Sequence, residues 1–172
     1  MQGHRTEAES YLQQALNLAD RAGNRQEEAR ILGNLGVMAV EQGNHAEAMH
    51  LFGQSLRMHQ ASGNRRGASM ALGNLGNVFL YLGAYAEASS HYAQALQIQR
   101  EIGDRHDEAL SLGNLGLACC LLEDHQAARV HIQRALEMAQ EIGERRSQAA
   151  MWLKLGHVLA GLEQTEKRGN GQ

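Results

Sequence analysis

Residues 32–56 read LGNLGVMAVEQGNHAEAMHLFGQSL, and the pattern returns as LGNLGNVFLYLGAYAEASSHYAQAL at 72–96 and LGNLGLACCLLEDHQAARVHIQRAL at 112–136. A partial fourth copy, WLKLGHVLAGLEQ, begins at Trp152. Working outward from these stretches, the phase holds along the chain: Gly36, Gly76, Gly116 and Gly156 are spaced by 40, as are Gly23, Gly63, Gly103 and Gly143. Leu16, Leu56, Leu96 and Leu136 keep the same interval, as do Ala8, Ala48, Ala88 and Ala128. A fixed period of this length is the signature of stacked supersecondary units, each burying its apolar face only against its neighbours.

Two apolar patterns alternate within a unit. Leu72, Leu75, Gly76 and Phe79 fall at i, i+3, i+4, i+7, and Ala88, Tyr92, Ala95 and Leu96 at i, i+4, i+7, i+8. Both draw one stripe along a helix and neither alternates as a strand would. Each unit is therefore a helix pair. The pairs Gly23-Asn24, Gly63-Asn64 and Gly103-Asp104 join a residue suited to a left-handed turn to a side-chain acceptor that caps the next helix. Asn24 with Glu27, and Asn44 with Glu47, have the spacing of a capping box. The predicted helices span 4–22, 26–41, 45–62, 66–82, 85–102, 106–122, 125–142 and 146–162.

With these motifs the sequence resembles the tetratricopeptide family in its longer, 40-residue variety, over residues 4–162. The resemblance implies an all-α fold, a right-handed α-α superhelix or solenoid of stacked antiparallel helix pairs. Residues 1–162 would form one array, with a half repeat at 4–22, full repeats at 24–63, 64–103 and 104–143, and a half repeat at 144–162; 163–172 reads as a disordered tail. Proline, frequent at the family's repeat end, does not occur in this chain, and Gly63, Gly103 and Gly143 take over that turn. The opening helix has a second-helix pattern with no first helix before it, and GLEQTEKRGNGQ lacks the spacing of a partner helix. Uncapped ends of this kind predict self-association or a need for neighbouring repeats.

In tetratricopeptide proteins the side of each first helix away from the stripe lines a concave groove. In the second repeat that side carries Met70, Gly73, Asn74, Asn77, Leu80 and Tyr81. The first repeat has Arg30, Gly33, Asn34, Val37, Val40 and Glu41 there, the third Leu110, Gly113, Asn114, Leu117, Cys120 and Leu121; His157 extends the set into the fourth motif. Asn34, Asn74 and Asn114 share one phase and form a ladder. An asparagine amide both donates and accepts, so the ladder either bonds the backbone of an extended peptide or bonds a neighbouring helix and fixes repeat packing. Gly33, Gly73 and Gly113 leave room for close approach, and the apolar members favour a peptide or helix with hydrophobic anchors. Chaperone-cofactor members of the family bind a terminal carboxylate through Lys, Arg and Asn; Gly33, Val37, Gly73, Asn77 and Gly113 supply one match and no cation, which excludes that partner.

Other signals are weaker. A net charge of −3 does not favour nucleic acid as a partner. No apolar run reaches the roughly 20 residues of a membrane span and no signal segment opens the chain, so a cytoplasmic protein is expected. Cys119 and Cys120 are adjacent on a helix and cannot pair with each other; Cys119 belongs to the buried stripe, Cys120 to the groove, and neither has a visible activating base. His91 and His131 share a phase, but no short-spaced third ligand accompanies them, so they read as surface histidines and no metal or other cofactor is expected. Arg25, Arg65, Arg105 and Arg145 line one edge, either as a solvated strip paired with acids such as Glu101 and Glu141 or as a strip for an acidic partner. LGNLG has no lysine and no preceding strand and is not a phosphate loop. No nucleophile, base and orienter assemble from these motifs, so no enzyme is expected. The leading function is a scaffold for a protein or peptide partner, with family resemblance to kinesin light chains, spindle-orientation adaptors and bacterial multidomain regulators. The alternative is a ligand-sensing regulatory module of a larger bacterial signalling ATPase or transcription activator.

Overall fold

The structure is a computed structural model that describes residues 2–143, 145, 149, 152–154, 156 and 160. Among the described residues seven bounded helices follow in order: α1 (Gln2–Arg21), α2 (Arg25–Glu41), α3 (His45–Ala61), α4 (Arg65–Tyr81), α5 (Tyr85–Ile102), α6 (Arg105–Leu121) and α7 (His125–Ile142). Each begins and ends within two residues of its predicted bounds. The predicted eighth helix lies largely outside the described residues, although Trp152, Leu153 and Lys154 are helical. The predicted tail at 163–172 lies outside them entirely. Among the described residues no helix is long and apolar enough to cross a membrane.

The chain divides into two compact units, residues 1–78 and 79–172. In the first, α1 packs on α2 and α2 on α3. Ala19, Ile31 and Leu35 close the first of these contacts, and Ala39, Ala48, Phe52, Leu75 and Val78 bring α2, α3 and α4 together. In the second unit α5 packs on α6 and α6 on α7 around Tyr92, Leu112, Leu115, Ile132 and Met138. Consecutive helices thus pair as the alternating stripes require. Close approach depends on the stripe glycines. A Cβ at Gly36 would stand 2.6 Å from Cε1 of Phe52, and one at Gly116 2.4 Å from Cγ1 of Ile132, so the ring and the branched side chain occupy the space that a larger residue would need.

The turns between pairs form as the Gly-Asn and Gly-Asp signals predict. At the end of α5, Gly103 takes φ 70°, its N–H donates to Arg100 O and that of Asp104 to Gln99 O, which satisfies carbonyls the helix leaves open. The caps follow in part. Asn24, Asn64, Asp104 and Asp124 each accept the backbone N–H three residues on. Neither predicted capping box closes. Glu27 turns to Arg30 instead of back to the cap, and the Asn44 amide donates to Gln42 Oε1, so that no side chain caps α3.

Two members of the arginine edge, Arg25 and Arg105, form ion pairs. Arg25 meets Glu28 at 2.8 Å, and Arg105 meets Glu141 at 2.6 Å and Glu108 at 3.8 Å. Arg100 adds a 3.1 Å contact to the buried Glu108. Acids from the same helix and from the next pair offset the unfavourable position of Arg25 and Arg105 at helix N-termini.

Candidate groove sites

In the first unit residues of α2, α3 and α4 line a cavity of about 660 Å3. Six of the predicted groove residues line it: Arg30, Gly33, Asn34, Val37, Met70 and Asn74. Val37 and Met70 are 43% and 54% exposed and offer apolar surface at the cavity. The missing side chain of Gly33 leaves Oγ of Ser55 visible from the cavity, 3.7 Å from where a Cβ would be. Gly73 faces open space. Asn77 lies outside the lining and has a partner of its own. Val40, by contrast, packs against the core of this unit and is only partly buried there, a correction to its placement on the groove. At position 40 the 100° step has already carried the side chain round toward α3.

The floor comes from α3, an element the sequence reading assigned wholly to packing. Ser55 Oγ donates to Ala29 O at 2.7 Å, so its hydrogen is used. His59 lies beside it, 7% exposed, with its ring against Gly67 and Nδ1 buried without a partner. Burial lowers the His59 pKa and keeps the ring neutral. One signal could have found it. Position 59 shares its 40-residue phase with Ala19, Gln99 and Ala139, all buried, so a histidine there had to be an interior one.

In the second unit Tyr81 and Leu121 are exposed, at 68% and 42%, while Leu117 is half-buried. Leu80 and Leu110 are partly buried against the core rather than open to a partner; in the case of Leu110, α5 and α7 both pack on its helix α6. Asn114 accepts a hydrogen bond of 2.6 Å from Nζ of Lys154. Lys154 is the ladder's fourth member, the residue that WLKLG carries where the other motifs carry asparagine. The reading of the ladder ended at Asn114 and did not include it. Burial lowers its pKa to about 8. His157 lies outside the described residues.

The ladder therefore does different things at different rungs. Asn114 bonds the next rung, as the packing reading holds. Asn34 and Asn74 make no side-chain hydrogen bond among the described residues. Two further expectations need correction. His91 and His131 are half-buried, not surface residues; His91 stacks on Phe79 with ring centroids 5.1 Å apart, and burial lowers both pKa values. Cys120 does have a neighbouring imidazole, with Sγ 3.7 Å from Nδ1 of His125. Burial nevertheless raises the pKa of both thiols, so the pair lacks the thiolate that chemistry would use. Among the described residues no three His, Cys, Asp or Glu side chains come together as metal ligands.

The sequence matches the family model described as tetratricopeptide repeat over residues 1–61 and 67–141. A comparison with curated protein sequences finds no match. Among solved structures the chain is similar to BtubC (BKLC) from P. vanneervenii, at 22% identity and a TM-score of 0.85, over 96% of this chain and 69% of that one. It is similar to aspartyl phosphate phosphatase F from Bacillus subtilis, at 16% identity and a TM-score of 0.82, over 98% of this chain and 45% of that one. It is also similar to the nearly identical TPR-like repeats of a kinesin light chain from Podosopora anserina, at 16% identity and a TM-score of 0.75, over 98% of this chain and 84% of that one. At such identities the likeness is one of fold.

Proposed function

Because the chain belongs to the tetratricopeptide repeat family, we propose that it is a protein-interaction scaffold, not an enzyme, and that it holds a peptide or helix in the groove over α3. One observation carries this reading. Asn34 and Asn74, forty residues apart, flank a cavity of about 660 Å3 with their amides uncommitted, and exposed Val37 and Met70 stand between them. Two free amides suit the backbone of an extended segment, and the apolar pair suits its side chains. The cavity is of the size that encloses one or two side chains, not a protein surface.

Selection of a random peptide library on the full chain tests the proposal. The expected result is a family of peptides that compete with one another and lose binding when Val37 or Met70 is changed to glutamate. Selected peptides indifferent to both changes, or a library that yields no binders, would overturn it.

A further inference from the structure

We infer that the cavity over α3 receives the side chain of a tyrosine from the bound peptide, with the phenol oxygen on Nε2 of His59. The inference rests on the peptide-groove reading and adds the identity of the anchor.

His59 is more than nine-tenths buried, lines the cavity, and its ring makes no hydrogen bond among the described residues. Its Cγ, Nδ1 and Cε1 edge is sealed by Gly67, where a Cβ would approach Nδ1 to 2.5 Å. Nε2 is then the ring atom left to meet a ligand. A buried N–H without an acceptor is rarer in proteins than a buried lone pair without a donor, so the proton belongs on Nε2, which donates into the cavity. Burial also disfavours the charged ring, which makes this a neutral donor.

The walls restrict what brings the acceptor. Phe52, Ala29, Ala71 and Met70 ask for an apolar body. A carboxylate would lose its water to meet an uncharged donor; of the two cations in the lining, Arg30 is held by both oxygens of Glu27 and Arg66 has a partner of its own. An indole N–H only donates and would meet another donor. A phenylalanine would fit and leave Nε2 without a bond. A phenol has the apolar ring and an oxygen that accepts.

Side-chain analogues test this without any peptide: p-cresol, toluene and acetate are titrated into the full chain with 15N-labelled histidine. p-Cresol is expected to shift the His59 Nε2 resonance and to bind about 2–10-fold more tightly than toluene, the worth of one hydrogen bond. His59→Ala should level the two, and His59→Gln, the residue the next repeat carries at position 99, should keep part of the difference. Equal binding of p-cresol and toluene to the unaltered chain, a His59 signal that does not move, or a response to acetate alone would overturn the inference. Peptides that bind the groove while p-cresol fails would sink the tyrosine anchor and leave the groove standing. p-Cresol binding beside a library without binders would do the reverse.

Discussion

Nζ of Lys154 lies 2.6 Å from Oδ1 of Asn114, its counterpart one repeat earlier. The bond uses one of three ammonium hydrogens, and burial disfavours the charge so that the pKa falls from 10.5 to about 8. Between about pH 8 and 10 the unfolded chain keeps this proton and the folded chain gives it up. Stability is therefore expected to rise with pH through that window, since it rises wherever the unfolded state binds more protons. Lys154→Gln keeps a donor for Asn114 and removes the charge. It should abolish the rise and stabilise the protein at pH 7 by on the order of 3 kcal/mol, at 1.36 kcal/mol for each unit of pKa. Thermal melts of both proteins from pH 7 to 10 check it, and a flat profile for the unaltered chain would contradict it.

The fold was legible because its cause is local and repeated. Gly36 and Gly116 must be small where α3 and α7 cross them, and a 40-residue recurrence displays that need in the chain itself. The groove was legible only in part. Helical phase puts Asn34, Val37, Met70 and Asn74 on one side, and they do share a cavity. The same phase is silent on the helix underneath, so Ser55 and His59 were missed, and on how far neighbours wrap round a helix, so Leu110 and Leu80 were taken for open surface. Side-chain commitments are less visible still. Nothing in the spacing distinguishes Asn44, which turns to Gln42, from Asn24, which caps α2.

Gly116 and Gly73 should respond in opposite directions to the same change. A Cβ at Gly116 meets Ile132 Cγ1 at 2.4 Å and the backbone oxygen of Ala128 at 3.0 Å, so Gly116→Ala must push α6 from α7 at a cost of about 1–3 kcal/mol. Around Gly73 nothing lies within 4 Å. Gly73→Ala should stabilise α4 by roughly 0.5–1 kcal/mol through helix propensity alone. Urea midpoints of the two variants measure the contrast.

Glu123 takes φ 64° at the turn between α6 and α7, where the equivalent turns have Gly43 at 76° and Gly83 at 75°. A side chain in the left-handed region costs about 1–2 kcal/mol that glycine avoids. Glycine in turn loses more freedom on folding. The balance predicts that Glu123→Gly raises stability by about 0.5–1 kcal/mol, with Asp124 still capping α7 through Ala127 N. A lower denaturation midpoint would show that the glutamate is bonded in a way that outweighs its backbone strain.

Replacing Asn34 and Asn74 together by alanine separates the two roles open to the ladder. If their amides wait for a peptide backbone, each lost bond should cost about 0.5–1.5 kcal/mol of affinity for a selected peptide. The melting temperature should stay the same or rise slightly, because alanine is the better helix former and no internal bond is removed. If instead the amides order the repeats, stability should fall while peptide affinity holds. Asn114→Ala is the internal comparison, since it leaves the buried Lys154 ammonium without its acceptor. That variant should lose stability whatever the partner does. Calorimetric titration and thermal melts on the same three proteins give affinity and stability independently. Loss of stability without loss of affinity in the Asn34, Asn74 pair would place the whole ladder in packing.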